Sequence, residues 1–106
     1  MPPFAELFIK YRLRSEISTL TSFGDMMAEE GYVYETSLFT RWQKGNRVPK
    51  DRKVLLAIIK VFLVRKGITS FSEVNSLLES ASQGYLTQKE QEYVLHIMDN
   101  IKENAS

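Results

Sequence analysis

The sequence predicts an all-α protein, a compact bundle of about five to six short helices. Three observations carry that prediction. Apolar residues recur at spacings of three and four in one segment after another, the period of a helix with a single buried face. Hydroxyl-x-x-acid tetrads and glycines punctuate those segments where helices start and stop. No run shows the apolar–polar alternation that a half-buried strand requires.

The first helix is expected over residues 4–16, with Phe4, Leu7, Phe8 and Tyr11 on its inner face. Ser22, Phe23, Gly24 and Asp25 fit a capping box with Asp in place of Glu, and they are expected to open the second helix. That helix turns Phe23, Met26 and Met27 inward and stops near Gly31, a natural left-handed C-terminal residue. A third helix is expected over 36–44, stopped by Gly45. Pro49 and Asp51 start a fourth over 51–66, with Val54, Leu55, Ile58, Val61 and Phe62 on one face and Gly67 at its end. Ser70 to Glu73 is a capping box for a fifth helix, which buries Phe71, Val74, Leu77, Leu78 and Ala81 and stops at Gly84. Thr87 to Glu90 is another, opening a sixth helix that runs to about residue 100. The last residues, KENAS, are expected to fray. Connections are short and no repeat or low-complexity stretch is present, so one domain spans 1–106, a core at about 4–66 with further helices at about 70–102.

Composition narrows the classes of function. There is no Cys, hence no disulfide framework, thiolate metal site or cysteine nucleophile. The longest apolar stretch, Val54 to Val64, is interrupted by Lys60 and is too short to span a bilayer. The start, MPPFAELF, lacks the basic head and apolar core of a signal peptide. The expectation is a soluble cytoplasmic protein with no membrane partner. The single His96 has only Glu92 and Asn100 one turn away, and the acids are scattered along helices without metal-ligand spacing. No enzyme, metal site or cofactor is therefore expected.

The net charge of +1 conceals an asymmetry. Residues 41–66 carry nine bases against Asp51 alone, a net +8, while residues 1–40 carry −3 and residues 67–106 carry −4. Positive charge gathered in one segment suits a polyanion, although a solvated basic helix face gives the same count. The stretch TSLFTRWQKGNRVPK, residues 36–50, holds the start of this segment. At about 100° per residue, Leu38, Phe39 and Trp42 fall on one side of a helix, and Thr36, Ser37, Thr40, Arg41 and Lys44 fall on the other. The apolar side is an anchor that would hold a helix too short to persist alone. Hydroxyls and cations on the outer side are the groups that read base edges in a major groove. Asn46, Arg47, Lys50, Arg52 and Lys53 follow where the chain leaves this helix and enters the next, suited to phosphate contact, and Asp51 among them fits an N-cap.

Two short helices joined by a Gly-containing turn form a helix-turn-helix unit. Here Arg41-Trp42-Gln43-Lys44-Gly45-Asn46-Arg47-Val48-Pro49 resembles the R-W-E-x-G-x-R-x-P ending of the Cro/lambda-repressor-like (XRE) helix-turn-helix domain. In that comparison Ala28 matches the small residue of the second helix, Phe39 and Trp42 match the paired apolar residues of the recognition helix, and Val54 to Phe62 match the following apolar helix. The resemblance covers residues 4–66. Gly31 follows Ala28 by three residues where the family has four, and Phe39 follows it by eleven where the family has ten, so the turn is longer and contains Tyr32, Val33 and Tyr34. At least one of those tyrosines is expected to pack on the core. Phe23-Gly24 stands where the family often has a phosphate-binding Gln.

The resemblance implies sequence-specific binding of double-stranded DNA by a transcriptional regulator, with the helix at 36–44 in the major groove. Thr36, Ser37, Thr40, Arg41 and Lys44 would meet bases, and Asn46, Arg47, Lys50 and Lys53 would meet phosphates. One recognition helix reads few base pairs, so a homodimer is expected, and Val94, Ile97, Met98 and Ile101 of the last helix form a row that either closes the monomer's core or pairs with its copy in a dimer. The alternative is a protein-interaction or adaptor module derived from the same fold, or the N-terminal domain of a larger regulator, without sequence-specific DNA binding.

Overall fold

The computed structural model describes residues 2–104 and contains six helices: α1 (Phe4–Arg14), α2 (Leu20–Glu29), α3 (Thr36–Lys44), α4 (Arg52–Val64), α5 (Phe71–Ser80) and α6 (Gln88–Asn104). No strand occurs among the described residues. The protein is an all-α bundle, with a radius of gyration of 13.0 Å, the value expected for a compact chain of this length.

The helices are arranged around α4. The sequence pattern suggested one inner face for this helix, but eight of its thirteen residues are buried, including Ala57, Ile59 and Leu63 beyond the expected row. A helix apolar on nearly every side has to be surrounded. α2 packs on one part of α4 and α6 on another, while α1 bridges α3 and α5. Phe4, Leu7, Phe8 and Tyr11 all enter the core from α1, and Val74, Leu77 and Leu78 enter it from α5. The α6 row closes the same core, with Val94 fully buried, Ile97 7% exposed, and Met98 and Ile101 packed against it.

Helix starts follow local hydrogen bonding. The expected start of α2 at Ser22 is corrected: Thr19 is the N-cap, its hydroxyl accepting from the Ser22 N–H at 3.1 Å, and the helix begins at Leu20. Asp51 caps α4 and Ser70 caps α5 as expected. Thr87 and Glu90 form a reciprocal capping box, each side chain accepting from the other's backbone N–H, at 3.2 and 3.0 Å. The resulting helix runs through Asn104 rather than ending near residue 100, so three of the residues expected to fray are helical; Ala105 and Ser106 lie outside the described residues.

Helix ends share one device. α1 to α5 each close with two backbone bonds, one spanning five residues and one spanning three, around a residue of positive φ. That residue is Gly31 after α2 and Gly45 after α3, as expected. After α1, α4 and α5 it is Glu16, Lys66 and Ser82, at φ 60, 62 and 59. Gly67 and Gly84 are therefore not the left-handed stops. Gly67 serves close approach instead, since a Cβ there would lie 1.8 Å from Ser15 Oγ and 2.5 Å from the Tyr11 carbonyl oxygen. It lets the end of α4 lie directly on the end of α1.

Three arginines tie distant segments together. Arg52 donates to Glu90 through Nε at 3.0 Å and Nη2 at 2.6 Å, and to the carbonyls of Gly84 and Tyr85 at 2.7 and 3.1 Å. Its hydrogen bonds to Glu90, reinforced by the Thr87 N–H and opposed by burial, hold that carboxyl at about 2. Arg12, 7% exposed, donates to the Ile17 carbonyl at 2.7 Å and to Gln43 Oε1 at 3.1 Å, linking α1 to α3. Arg14 pairs with Glu73 at 2.6 Å.

Gly67→Ala should destabilise by about 1–3 kcal/mol or more, because backbone and side-chain atoms already occupy the position of the added methyl. Lys66→Gly should instead stabilise by about 0.5–1 kcal/mol by removing left-handed strain. Urea unfolding reads both, and equal effects of the two changes would contradict the assignment.

Glu90 has a folded pKa below its ordinary value, so its contribution is fully present above about pH 4.5 and disappears as pH falls from there toward about 2. Glu90→Gln should lower stability at neutral pH by about 1–2 kcal/mol and remove this part of the acid dependence. Unfolding midpoints from pH 7 to 2 test it; parallel curves for the two proteins would refute it.

Candidate nucleic-acid interface

α3 has nine residues and no side-chain N-cap bond, so little within the helix itself holds it. Tertiary contacts do. Phe39 is fully buried and Trp42 is 2% exposed, with ring centroids 5.2 Å apart. Phe39 stands edge-on to Phe23 at 5.1 Å, and Trp42 edge-on to Phe8 at 6.0 Å and to Phe4 at 6.4 Å. Leu38 is half-buried against the same core. At the C-terminal end Gly45, at φ 79, turns the chain, with Asn46 N–H donating to the Arg41 carbonyl at 2.9 Å. Gln43, held by Arg12, fixes the flank.

The outer side of α3 carries the expected set. Thr36, Ser37, Arg41 and Lys44 are exposed and Thr40 is half-buried. The Thr40 hydroxyl donates to the Thr36 carbonyl at 3.2 Å, which commits its proton and leaves its oxygen as an acceptor. Beyond α3, Asn46, Arg47 and Lys50 line one concavity of about 410 Å³ with Gly45 and Val48. The loop is fixed at its α4 end: Pro49 is buried, and the Lys50 carbonyl accepts from Gln83 Nε2 at 3.1 Å. Lys53 is exposed but borders a different groove, between the end of α2 and α6, so the structure separates it from the loop three.

Charges of the basic segment fall into two groups. Arg52 is held by Glu90, Lys60 pairs with Glu30 at 2.7 Å, and Arg65 donates to the Ser15 carbonyl at 2.9 Å. Arg52 is thus a structural clamp rather than a loop cation facing outward. Arg41, Lys44, Arg47, Lys50, Lys53 and Lys66 form no ion pair and no side-chain hydrogen bond among the described residues. Four of these six lie on α3 and the loop behind it.

The close approach between α2 and α3 does not fall at Ala28. Ala28 is exposed. The close approach is at Gly24, where a Cβ would lie 3.1 Å from Phe39 Cε2. Gly24 lies one helical turn before Ala28, between the buried Phe23 and Met27. That flanking pair was a signal available in the sequence. Within the turn, Tyr32 packs against the core, Val33 is 81% exposed, and Tyr34 is 39% exposed with its ring edge-on to Phe39 at 6.4 Å.

Two other candidates look different in three dimensions. The row Val94, Ile97, Met98 and Ile101 is occupied by the protein's own core, so it is not a free pairing face. His96 is exposed, with Asn100 Nδ2 at 3.3 Å from its Nε2. No helix among the described residues is long and apolar enough to cross a membrane. Comparison with protein-family models, curated proteins and solved structures found no match to this chain, so its function has to be argued from these residues.

Proposed function

We propose that the protein binds double-stranded DNA in a sequence-dependent way as a transcriptional regulator, with α2 and α3 acting as a helix-turn-helix and α3 entering the major groove. The observation that carries this reading is the sorting of charge. Every side of α3 that could anchor it is apolar or committed to internal bonds, while Arg41, Lys44, Arg47 and Lys50 are exposed and unpaired among the described residues. Thr36, Ser37, Thr40, Arg41 and Lys44 would face base edges, and Asn46, Arg47 and Lys50 would grip the sugar-phosphate backbone. Resemblance of residues 41–49 to the XRE-type ending points the same way. A helix this short reads few base pairs, so two copies would act on neighbouring half-sites through a surface other than the α6 row.

A second reading has its own observation. Val33 and Tyr34 expose apolar surface on the turn before α3, which suits an adaptor that docks a protein rather than DNA. Retention on immobilised duplex at low salt, released at moderate salt, supports DNA binding; absence of salt-sensitive retention supports the adaptor.

Arg41→Ala should cost about 1–3 kcal/mol on a selected site and far less on random duplex, since a guanidinium grips guanine O6 and N7 together. Lys50→Ala should weaken all duplexes about equally and lower the salt slope by about one counterion. Titrations on both duplexes decide this; the same uniform loss for both variants would make Arg41 a phosphate contact.

Trp42→Ala should destabilise the fold by about 3–5 kcal/mol and abolish binding through unfolding. A variant of near-normal thermal stability with altered sequence preference would instead place Trp42 in the groove.

A further inference from the structure

Away from α3, a groove of about 420 Å³ opens between the end of α2, the first half of α4 and the start of α6. Leu56 and Ala57 from α4 supply apolar lining, and Tyr32 and Tyr93 add two rings. Neither phenol has a hydrogen-bond partner among the described residues. Two carboxylates border the groove, and both are already engaged. Glu30 is held by Lys60 at 2.7 Å and Glu90 by Arg52 at 2.6 Å. Lys53 and Lys89 complete the lining, exposed and without partners among the described residues. Four cations thus surround two carboxylates, and the excess charge rests on the two lysines that face the groove.

This combination selects a kind of ligand. A bare inorganic anion would meet the ammonium groups but leave the apolar lining wet. A neutral apolar molecule would cover the lining and displace water from two uncompensated charges, which is unfavourable. An anionic head on an apolar body satisfies both, and the phenols can donate to the head. The volume lies in the range of small-molecule sites, about 300–1,000 Å³.

We propose that this groove is a binding site for a small amphipathic organic anion, a carboxylate carried on an acyl or aryl body. The site does not depend on the DNA-binding reading. Tyr32 belongs to the turn between α2 and α3, so an occupant would touch the segment that joins those two helices.

The test titrates the whole protein with 8-anilinonaphthalene-1-sulfonate, an aryl anion that fluoresces on burial, and then displaces it with octanoate or with 1-octanol. The expected result is saturable one-site binding, displaced by octanoate about tenfold more effectively than by 1-octanol. The Lys53→Ala/Lys89→Ala double variant should raise the dissociation constant by about tenfold or more with an unchanged circular dichroism spectrum. Arg47→Ala/Lys50→Ala, which removes two cations outside the groove, should leave it unaltered. Absence of saturable binding, equal displacement by octanol, or the same loss in both double variants would overturn the proposal. Loss of DNA binding by Arg47→Ala/Lys50→Ala with dye binding intact would separate this site from the proposed DNA interface.

Discussion

The edge-on stacking of Phe39 and Trp42 against Phe23, Phe8 and Phe4 is the contact on which the rest of the molecule depends. It joins α3 to α1 and α2 at once, and Phe8 and Phe23 carry it on to Phe62 in α4, at 6.0 and 5.8 Å. Aromatic pairs at these separations favour edge-to-face or offset-stacked arrangements over a face-to-face sandwich, so the cluster specifies orientation as well as proximity. A nine-residue helix without a side-chain cap is marginal in water. Its presence, and the direction of its outer face, therefore follow from where two rings are buried. An aromatic pair so close to so many cations is explained by this division of labour within one short helix.

Periodicity made six helices and most of the core legible, because the buried residues of α1 and α5 recur on one side of each helix. It understated α4. A helix surrounded on nearly all sides has no polar face to reveal its period, and only Lys60 and Val64 interrupt the burial in its second half. Helix ends were legible only where glycine takes the left-handed position. Glu16, Lys66 and Ser82 adopt it without being chosen for it, because the paired backbone bonds that satisfy the last carbonyls outweigh the local strain. Gly67 and Gly84 lie one and two residues beyond those positions. From the sequence, a glycine needed for close approach and one needed for positive φ look the same.

The basic segment was legible as a sum and not as a surface. Arg52 and Glu90 are 38 residues apart, and Lys60 meets Glu30 from the opposite direction in the chain. No local spacing rule links such pairs. Once they are removed, a group of four remains on α3 and its following loop, together with Lys53 around the corner toward α6 and Lys66 beyond the end of α4. The candidate base-facing residues needed only helical geometry to find. Lys53 needed the fold, because its side chain leaves the loop just as α4 begins.

The longer turn between α2 and α3 changes less than its length suggests. A matched pattern counts residues from the small position of the second helix to the apolar pair of the third, and that count assumes the chain determines the pose. In this protein the pose is set by three contacts that bypass the turn. Gly24 admits Phe39 at 3.1 Å from where a Cβ would stand, the rings of Phe23 and Phe8 seat Phe39 and Trp42, and Arg12 holds Gln43 from α1. These three constraints act on different parts of α3, which is enough to define its axis and its rotation. The residues between Gly31 and Glu35 then only have to close the gap, with Tyr32 on the core and Val33 in solvent. Extra length there alters what the protein displays beside α3 and leaves unaltered the face that α3 itself presents.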